Sequence, residues 1–352
     1  MQSLAVKYRP RTFNDVVEQG NIKAILEEQL ATKTFKNCYL FTGGAGTGKT
    51  TCARIFAQEL NGHKGNPIEI DAASNNGVEN VREIIDNSKF KALDAPYKVY
   101  IIDECHMLSI GAWNAMLKLL EEPPAATMFI LCTTDPQKIP ATILSRVQRY
   151  DFQRITFNSI VERLQLIVNA ENEDIECDCA GHAEEQGADL LAAEKEALEY
   201  IAKLADGGMR DAITLLDKCI SYSYDVTMEN VVAALGTIDY QVMLNLTNAV
   251  LDRKAAEAVK IIEEAHRSGV DLKQFIKQYS HFVLDLCKYE LLGSFEYLQI
   301  PSTVEPQLAD YGEDDYGFFQ DLLKSMIELS GNIKWETAPK PLIESMFILL
   351  CA

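Results

Sequence analysis

The stretch Phe41-Thr42-Gly43-Gly44-Ala45-Gly46-Thr47-Gly48-Lys49-Thr50-Thr51 constrains this chain more than any other feature. It meets the G-x-x-x-x-G-K-[ST] pattern at every fixed position, follows the apolar run Cys38–Phe41 and opens the helical stretch Thr50–Leu60. Glycines at these positions let the amides of Gly43, Gly44, Ala45, Gly46, Thr47 and Gly48 curl around phosphate oxygens, and the helix N-terminus adds its positive dipole end. Lys49 supplies a point charge at the β- and γ-phosphates, and the Thr50 hydroxyl can ligate Mg²⁺. The segment predicts a strand–loop–helix unit of an α/β fold that binds a nucleoside triphosphate.

A second apolar run, Val99-Tyr100-Ile101-Ile102, leads into Asp103-Glu104-Cys105-His106. A buried strand that ends in adjacent carboxylates is the Walker B arrangement. Asp103 can hold the Mg²⁺ through water, and Glu104 can orient and deprotonate an attacking water. A third run, Met128–Thr134, ends in paired threonines before Asp135–Pro140, and its tip is expected beside the Walker B end. A polar side chain there can touch the γ-phosphate or the lytic water, the role called sensor 1; Thr134 is the first choice and Thr133 the next. Ser145-Arg146 leads to the last strand, where Arg146 is either an arginine finger for a neighbouring subunit's γ-phosphate or a surface salt-bridge partner. Gly207-Gly208-Met209-Arg210-Asp211 opens a later helix, from which Arg210 can bridge a lid to the γ-phosphate.

Short apolar runs alternate with helical stretches up to about residue 155, the pattern of a parallel sheet. Strands are expected at Cys38–Phe41, Pro67–Ile70, Val99–Ile102, Met128–Thr133 and Arg149–Phe152. Helical periodicity then takes over, with Glu194–Ala205, Met209–Tyr222 and Met228–Leu235 as a small bundle. Past a boundary at Gly236–Asp239, Tyr240–Leu251, Ala255–Arg267, Leu272–Leu292 and Tyr316–Leu329 make a wholly helical region. Three domains follow: 1–155, 156–236 and 237–352. No run of 18 apolar residues and no secretory h-region occurs, so a cytoplasmic protein without a membrane span is expected. The odd count of nine cysteines argues against a disulfide framework; Cys132, Cys219 and Cys287 read as small buried hydrophobes.

Charge is the one anomaly. The net value is −19, yet residues 1–54 carry eight basic against four acidic side chains, and residues 171–206 carry twelve acidic against two basic. A global excess of acid disfavours non-specific nucleic-acid binding, while a local basic surface can still contact phosphates. Residues 171–193 read as an exposed acidic loop. Its Cys177-x-Cys179-x-x-His182 offers soft metal ligands but lacks a fourth, so a solvated loop with incidental thiols is the expected reading.

With these motifs placed, the chain resembles the gamma/tau family of bacterial sliding-clamp loader ATPases, within the AAA+ class. The resemblance is carried by Lys7-Tyr8-Arg9-Pro10-Arg11-Thr12-Phe13-Asn14-Asp15-Val16-Val17, Ile68–Ser74, Leu119-Leu120-Glu121-Glu122-Pro123-Pro124 and Thr133–Pro140. It implies an AAA+ P-loop domain, a helical lid and an all-α collar for oligomerisation. It places Tyr8, Arg9, Pro10, Val16 and Val17 on the adenine side of the nucleotide, with ATP and Mg²⁺ as cofactors. The implied partners are delta-like and delta-prime-like subunits, other copies of the chain, a sliding clamp and primer–template DNA. ATP binding would open the clamp, and hydrolysis would release it on DNA. The family's four-cysteine zinc module is replaced by Asn61-Gly62-His63-Lys64-Gly65-Asn66, so no zinc is expected there, and its Ser-Arg-Cys triplet reads Ser145-Arg146-Val147.

The resemblance also implies that Arg82 and Lys118 face a chamber tracking the DNA backbone; Lys118 can equally pair with Glu121 or Glu122 on its own helix. Other readings are a branch-migration or fork-remodelling AAA+ motor, a loader subunit that binds ATP without hydrolysing it, and a polymerase-associated scaffold.

Overall fold

The computed structural model describes residues 2–180, 190–236, 240–294, 298, 300, 305–308, 311–312, 315–334 and 336–352. The chain divides into two compact units, Met1–Glu184 with Ile201–Asp217, and Glu185–Tyr200 with Lys218–Ala352.

The first unit runs α1 (Leu4–Lys7), α2 (Gly20–Thr32), β1 (Cys38–Gly43), α3 (Lys49–Leu60), β2 (Ile68–Asp71), α4 (Val78–Ser88), β3 (Lys98–Asp103), α5 (Ile110–Glu121), β4 (Thr127–Thr133), α6 (Ala141–Leu144), β5 (Gln148–Phe152) and α7 (Phe157–Ala180). The five strands form one sheet in the order β2-β3-β4-β1-β5, with every pair parallel. Parallel pairing needs crossovers, and the helices supply them on both faces. Successive side chains of a strand point to opposite faces. Tyr39, Phe41, Val99, Ile101, Ile130 and Cys132 therefore pack with α2 and α3, while Leu40, Tyr100, Ile102, Phe129 and Leu131 pack with α4 and α5. This double covering explains why β1, β3 and β4 read as continuous apolar runs. The short edge strand β2 is largely exposed, matching its mixed Ile-Glu-Ile-Asp sequence.

Strand order decides where the chemistry gathers. The crossover from β1 to β2 skips two positions, so the C-terminal ends of β1, β3 and β4 lie side by side, at the kind of switch point where α/β sheets bind ligands. Residues 61–66 make only a tight turn between α3 and β2, with His63 and Gly65 both at positive φ.

The second unit is mostly helical. A two-stranded parallel ladder joins β6 (Ala192–Ala193) to β7 (Asp225–Val226). Helices α8 (Lys195–Leu204) and α9 (Met209–Tyr222) are divided between the units, with Ile201–Asp217 in the first, and together with α10 (Met228–Leu235) of the second unit they follow the expected boundaries within a residue or so. Thr227 caps α10 by accepting from the Asn230 N–H, and Gly236 closes it at φ +65°. Of the expected boundary at Gly236–Asp239, positions 237–239 lie outside the described residues. Beyond come α11 (Tyr240–Leu251), α12 (Ala255–Arg267), α13 (Leu272–Leu292), α14 (Glu305–Leu308), α15 (Asp315–Ile333) and α16 (Pro339–Leu350). Helix α13 is the spine: Phe275, Tyr279, Phe282 and Val283 are buried against Leu246, Leu322, Met326 and Phe347. The buried Tyr279 hydroxyl meets Thr247 Oγ1 at 2.9 Å, as a buried phenol requires.

One expectation is corrected. The acidic stretch from Glu171 is not loop up to residue 180; α7 continues through it to Ala180. Glutamate is a good helix former, and the residues on one side of this last section find a cation, as described below. Of the expected metal triplet, the side chains of Cys177 and Cys179 and the whole of His182 lie outside what the structure describes. The seven described cysteines are free and buried. No helix among the described residues is long and apolar enough to cross a membrane.

Candidate active site

A cleft of about 260 Å³ opens at the C-terminal ends of β1, β3 and β4. Its floor is the loop from Ala45 to Thr51, its far wall Asp103, Glu104 and Thr134, and its open side Tyr8, Arg9, Pro10, Val16 and Val17. Arg210 and Asp211, from the start of α9, close over it. Nearly all the residues expected at a nucleotide site therefore meet in one place, from segments two hundred residues apart.

The loop owes its shape to backbone freedom. Gly46 and Gly48 hold φ of +68° and +100°, open to glycine at little cost. Gly43 and Gly44 do not line the cleft; their carbonyls accept from Lys49 Nζ at 2.9 and 2.6 Å. Lys49 is buried, and that burial holds its ammonium below the usual lysine range despite the nearby charges of Glu104 and Asp103. A cation kept dry, with only neutral carbonyls on it, suits an incoming phosphate.

At the wall, Thr50 Oγ1 donates to Asp103 Oδ2 at 2.9 Å, joining the first turn of α3 to the end of β3. Hard oxygens from one hydroxyl and one carboxylate are the donor set for Mg²⁺, which takes few protein ligands and keeps its waters. These two residues can hold that ion. Glu104 then turns sharply, with φ +45°, a left-handed conformation that costs a non-glycine residue about 1 kcal/mol. The turn is stabilised by its own N–H, which donates to Asp103 Oδ1 at 3.0 Å. It aims the Glu104 carboxylate at β4, where Thr134 donates to Oε2 from its hydroxyl at 2.9 Å and from its N–H at 3.3 Å.

His106 completes this bracket and was not singled out from sequence. Its Nδ1 lies 3.2 Å from Glu104 Oε2 and 3.0 Å from Thr133 Oγ1. Thr133 is fully buried and also accepts from the Asp135 N–H. The two threonines thus divide the work: Thr134 touches Glu104, and Thr133 orients the histidine beside it. The signal available in sequence was only the polar residue two positions after Glu104.

The lid and the loop approach at glycine. A Cβ on Gly46 would sit 2.9 Å from Gly208 Cα, and the Met209 N–H donates to the Gly46 carbonyl at 3.1 Å. This contact seats Arg210 in the cleft. Burial, followed by the neighbouring guanidinium groups of Arg54 and Arg210, holds the Arg9 side chain below its ordinary value. Cations gathered without enough counter-charge mark this wall as a place for an anion. Met209, Ile155 and Ile213 add apolar lining, and Arg163 reaches the same wall. Ile155, Arg163 and Ile213 come from parts of the chain without a local motif, while Met209 stands within the Gly207–Asp211 segment.

Three expected residues stand elsewhere. Arg146 follows α6 outside the cleft and pairs with Glu121, its Nε donating at 2.7 Å. Arg82 and Lys118 are exposed on the adjoining helices α4 and α5, and neither is in an ion pair among the described residues. The alternative of Lys118 pairing with Glu121 or Glu122 is thereby corrected: Arg146 has the Glu121 carboxylate, held by guanidinium geometry that an ammonium does not match.

Three family models match successive parts of the chain: DNA polymerase III, delta subunit, at residues 68–156; the ATPase lid domain of the DNA polymerase III clamp loader subunit, at 187–225; and domain III of DNA polymerase III subunits gamma and tau, at 226–314. DNA polymerase III subunit tau of Bacillus subtilis is 37% identical over 99% of this chain and 63% of its own length. The tau subunit of Escherichia coli is 36% identical over 77% of this chain, which spans 43% of that protein. Subunit gamma of Buchnera aphidicola subsp. Baizongia pistaciae is 34% identical over 79% of this chain and 77% of its own length. Among solved structures, the Holliday junction branch migration motor RuvB of Thermotoga maritima superposes with a TM-score of 0.50 at 18% identity, covering 69% of this chain and 79% of that one. That last likeness is one of fold alone.

Proposed function

The chain belongs to the gamma/tau family of DNA polymerase III subunits, and from that premise we propose that it is an ATPase subunit of a sliding-clamp loader, with ATP binding driving clamp opening on primer–template DNA and hydrolysis releasing the clamp. The observation that carries the reading is the convergence of Lys49, the Thr50–Asp103 pair and the bracketed Glu104 in one cleft, beneath Arg210.

In this reading the amides of residues 45–48 and Lys49 hold the phosphates, and Thr50 and Asp103 hold Mg²⁺. The ion, when bound, draws negative charge from the β- and γ-phosphate oxygens. Tyr8, Arg9, Pro10, Val16 and Val17 form the base-side wall. Glu104 accepts the proton of the attacking water, and Thr134 fixes the carboxylate that does so. Arg210 senses the γ-phosphate and draws the lid toward it. Arg146, absent from its own cleft, serves the cleft of a neighbouring subunit, exchanging Glu121 for a γ-phosphate on assembly. The partners are other copies of the chain, delta-like and delta-prime-like subunits, and the clamp. Arg82 and Lys118 contact the DNA backbone.

The test is reconstitution with candidate loader subunits and clamp, followed by ATPase assay with and without primed DNA. Stimulated hydrolysis that depends on both clamp and DNA supports the reading. Clamp-independent translocation along DNA would instead make the chain a motor of the branch-migration kind.

A further inference from the structure

The acidic residues at 171 and 174 have an assignment that neither the cleft nor the motifs supply. Lys7 Nζ lies 2.6 Å from Glu171 Oε1 and 2.7 Å from Asp174 Oδ2. The two acids are three residues apart on α7, which puts them one above the other on a single face. The Glu171 side chain is only 19% exposed, so this half of the pair is shielded from water. Burial pulls the Lys7 ammonium down, but its hydrogen bonds to Asp174 and Glu171 outweigh that and leave it raised. Burial also pushes the neighbouring Tyr8 phenol up, to about 12, with Glu171 adding to the effect.

What Lys7 holds is a strap. Residues 4–10 place Ala5, Tyr8, Arg9 and Pro10 on the open side of the cleft, yet of these seven only Leu4 is buried. The helix inside the strap is four residues long, too short to be stable by itself. Its other ties are single bonds: the Leu4 N–H donates to Asp217 Oδ2 at 3.1 Å, and Arg163 Nη2 donates to the Tyr8 carbonyl at 3.3 Å. Lys7 instead meets two carboxylates at once.

We propose that Lys7, Glu171 and Asp174 form an electrostatic latch that fixes the strap as the base-side wall and so sets how long a nucleoside triphosphate stays bound. The proposal rests on the ATP-binding reading above. Lys7 is a positioning residue: it acts through Tyr8, Arg9 and Pro10. Because the latch is made on the last section of α7, a change there reaches nucleotide retention through the strap, whereas Arg163, earlier on the same helix, lines the cleft directly.

The test uses the full chain and a fluorescent ATP analogue in stopped flow. Lys7→Glu is expected to speed nucleotide release about three- to tenfold, the range for a partly exposed double ion pair, while the maximal hydrolysis rate at saturating ATP is retained. The triple variant Lys7→Glu, Glu171→Lys, Asp174→Lys is expected to restore slow release, which a loss of packing alone would not allow. Release from the wild type is expected to quicken with salt, and release from the milder pair Glu171→Gln, Asp174→Asn to do so less steeply, the remaining dependence being that of the phosphate contacts. Amide exchange of residues 4–9 in the nucleotide-free chain gives a readout independent of ATP and is expected to rise in Lys7→Glu. Unchanged exchange and unchanged release in Lys7→Glu, or failure of the charge swap to restore either, overturns the latch. A wild-type chain that takes up no nucleotide overturns the ATP reading instead, before any variant is made.

Discussion

Glu104 Oε2 accepts from both the hydroxyl and the N–H of Thr134, at 2.9 and 3.3 Å, so a carboxylate at the end of β3 is fixed by the residue just past β4. A base must be held within reach of the water it activates, and a strand-to-strand bond holds it better than rotamer preference does. Thr134→Val removes the hydroxyl and leaves the N–H. It should lower the single-turnover hydrolysis rate about tenfold, the worth of one hydrogen bond to a charged group, with nucleotide affinity nearly unchanged. Glu104→Gln should lower it about a hundredfold or more. Equal rates for wild type and Glu104→Gln would remove Glu104 from the role of base.

How much of this arrangement the sequence announces differs by region. The strands β1, β3 and β4 are legible because burial on both faces turns them into unbroken apolar runs, and the carboxylates and threonines at their ends can be read off directly. The lining by Ile155, Arg163 and Ile213 is not legible, because each reaches the cleft through long-range packing. The helical reach of α7 into 171–180 was hidden for a related reason. Its acidic composition reads as solvated until Lys7, more than 160 residues earlier, is brought alongside. Arg146 and Lys118 compete for Glu121, and spacing alone favours the lysine; only the fold brings the end of α6 against the end of α5.

The dry position of Lys49 makes a sharp expectation. Its ammonium already bonds to the Gly43 and Gly44 carbonyls, so the loop is pre-shaped, and replacement removes the buried charge that a phosphate meets. Lys49→Ala should weaken ATP binding about thirtyfold or more, as truncating one partner of a buried charge pair does. Titration calorimetry with Mg²⁺ present checks it, and unaltered affinity would contradict the phosphate role of the loop.

Gly43 serves the sheet. It has φ +147°, and a Cβ there would lie 2.5 Å from the Phe152 carbonyl and 2.9 Å from Phe152 Cβ. Both atoms belong to the paired strand β5, so neither can step aside cheaply. Gly43→Ala should cost about 1–3 kcal/mol of stability. Urea denaturation, with unchanged slope and a lower midpoint, is the expected outcome.

In the isolated chain Arg146 pairs with Glu121 and donates to the Thr142 carbonyl and Ser145 Oγ, all partly open to solvent, so Arg146→Ala should change stability by no more than about 1 kcal/mol. If the side chain acts on a neighbour's γ-phosphate, the same change should cut clamp- and DNA-stimulated hydrolysis about a thousandfold in the assembled loader. Nucleotide binding by the lone subunit should not move. Full stimulation by the variant loader would leave Arg146 as a surface salt-bridge partner.

Arg82 and Lys118 have different neighbours from Arg146: each is exposed, and neither is in an ion pair among the described residues. On a chain of net charge −19, exposed cations on adjoining helices offer a phosphate backbone a local attraction. Contacts of this kind read charge and not sequence, so replacing either residue should weaken binding to all primed duplexes alike. Each phosphate contact releases condensed counterions, which makes the logarithm of affinity fall with the logarithm of salt by about 0.9 per contact. Arg82→Ala and Lys118→Ala should each lower that slope by about one in the assembled, ATP-bound loader, and together by about two. Anisotropy titrations across a salt series measure it. A slope that stays fixed while affinity falls would mean the residues act through folding or assembly, and the DNA path would have to be sought on another face.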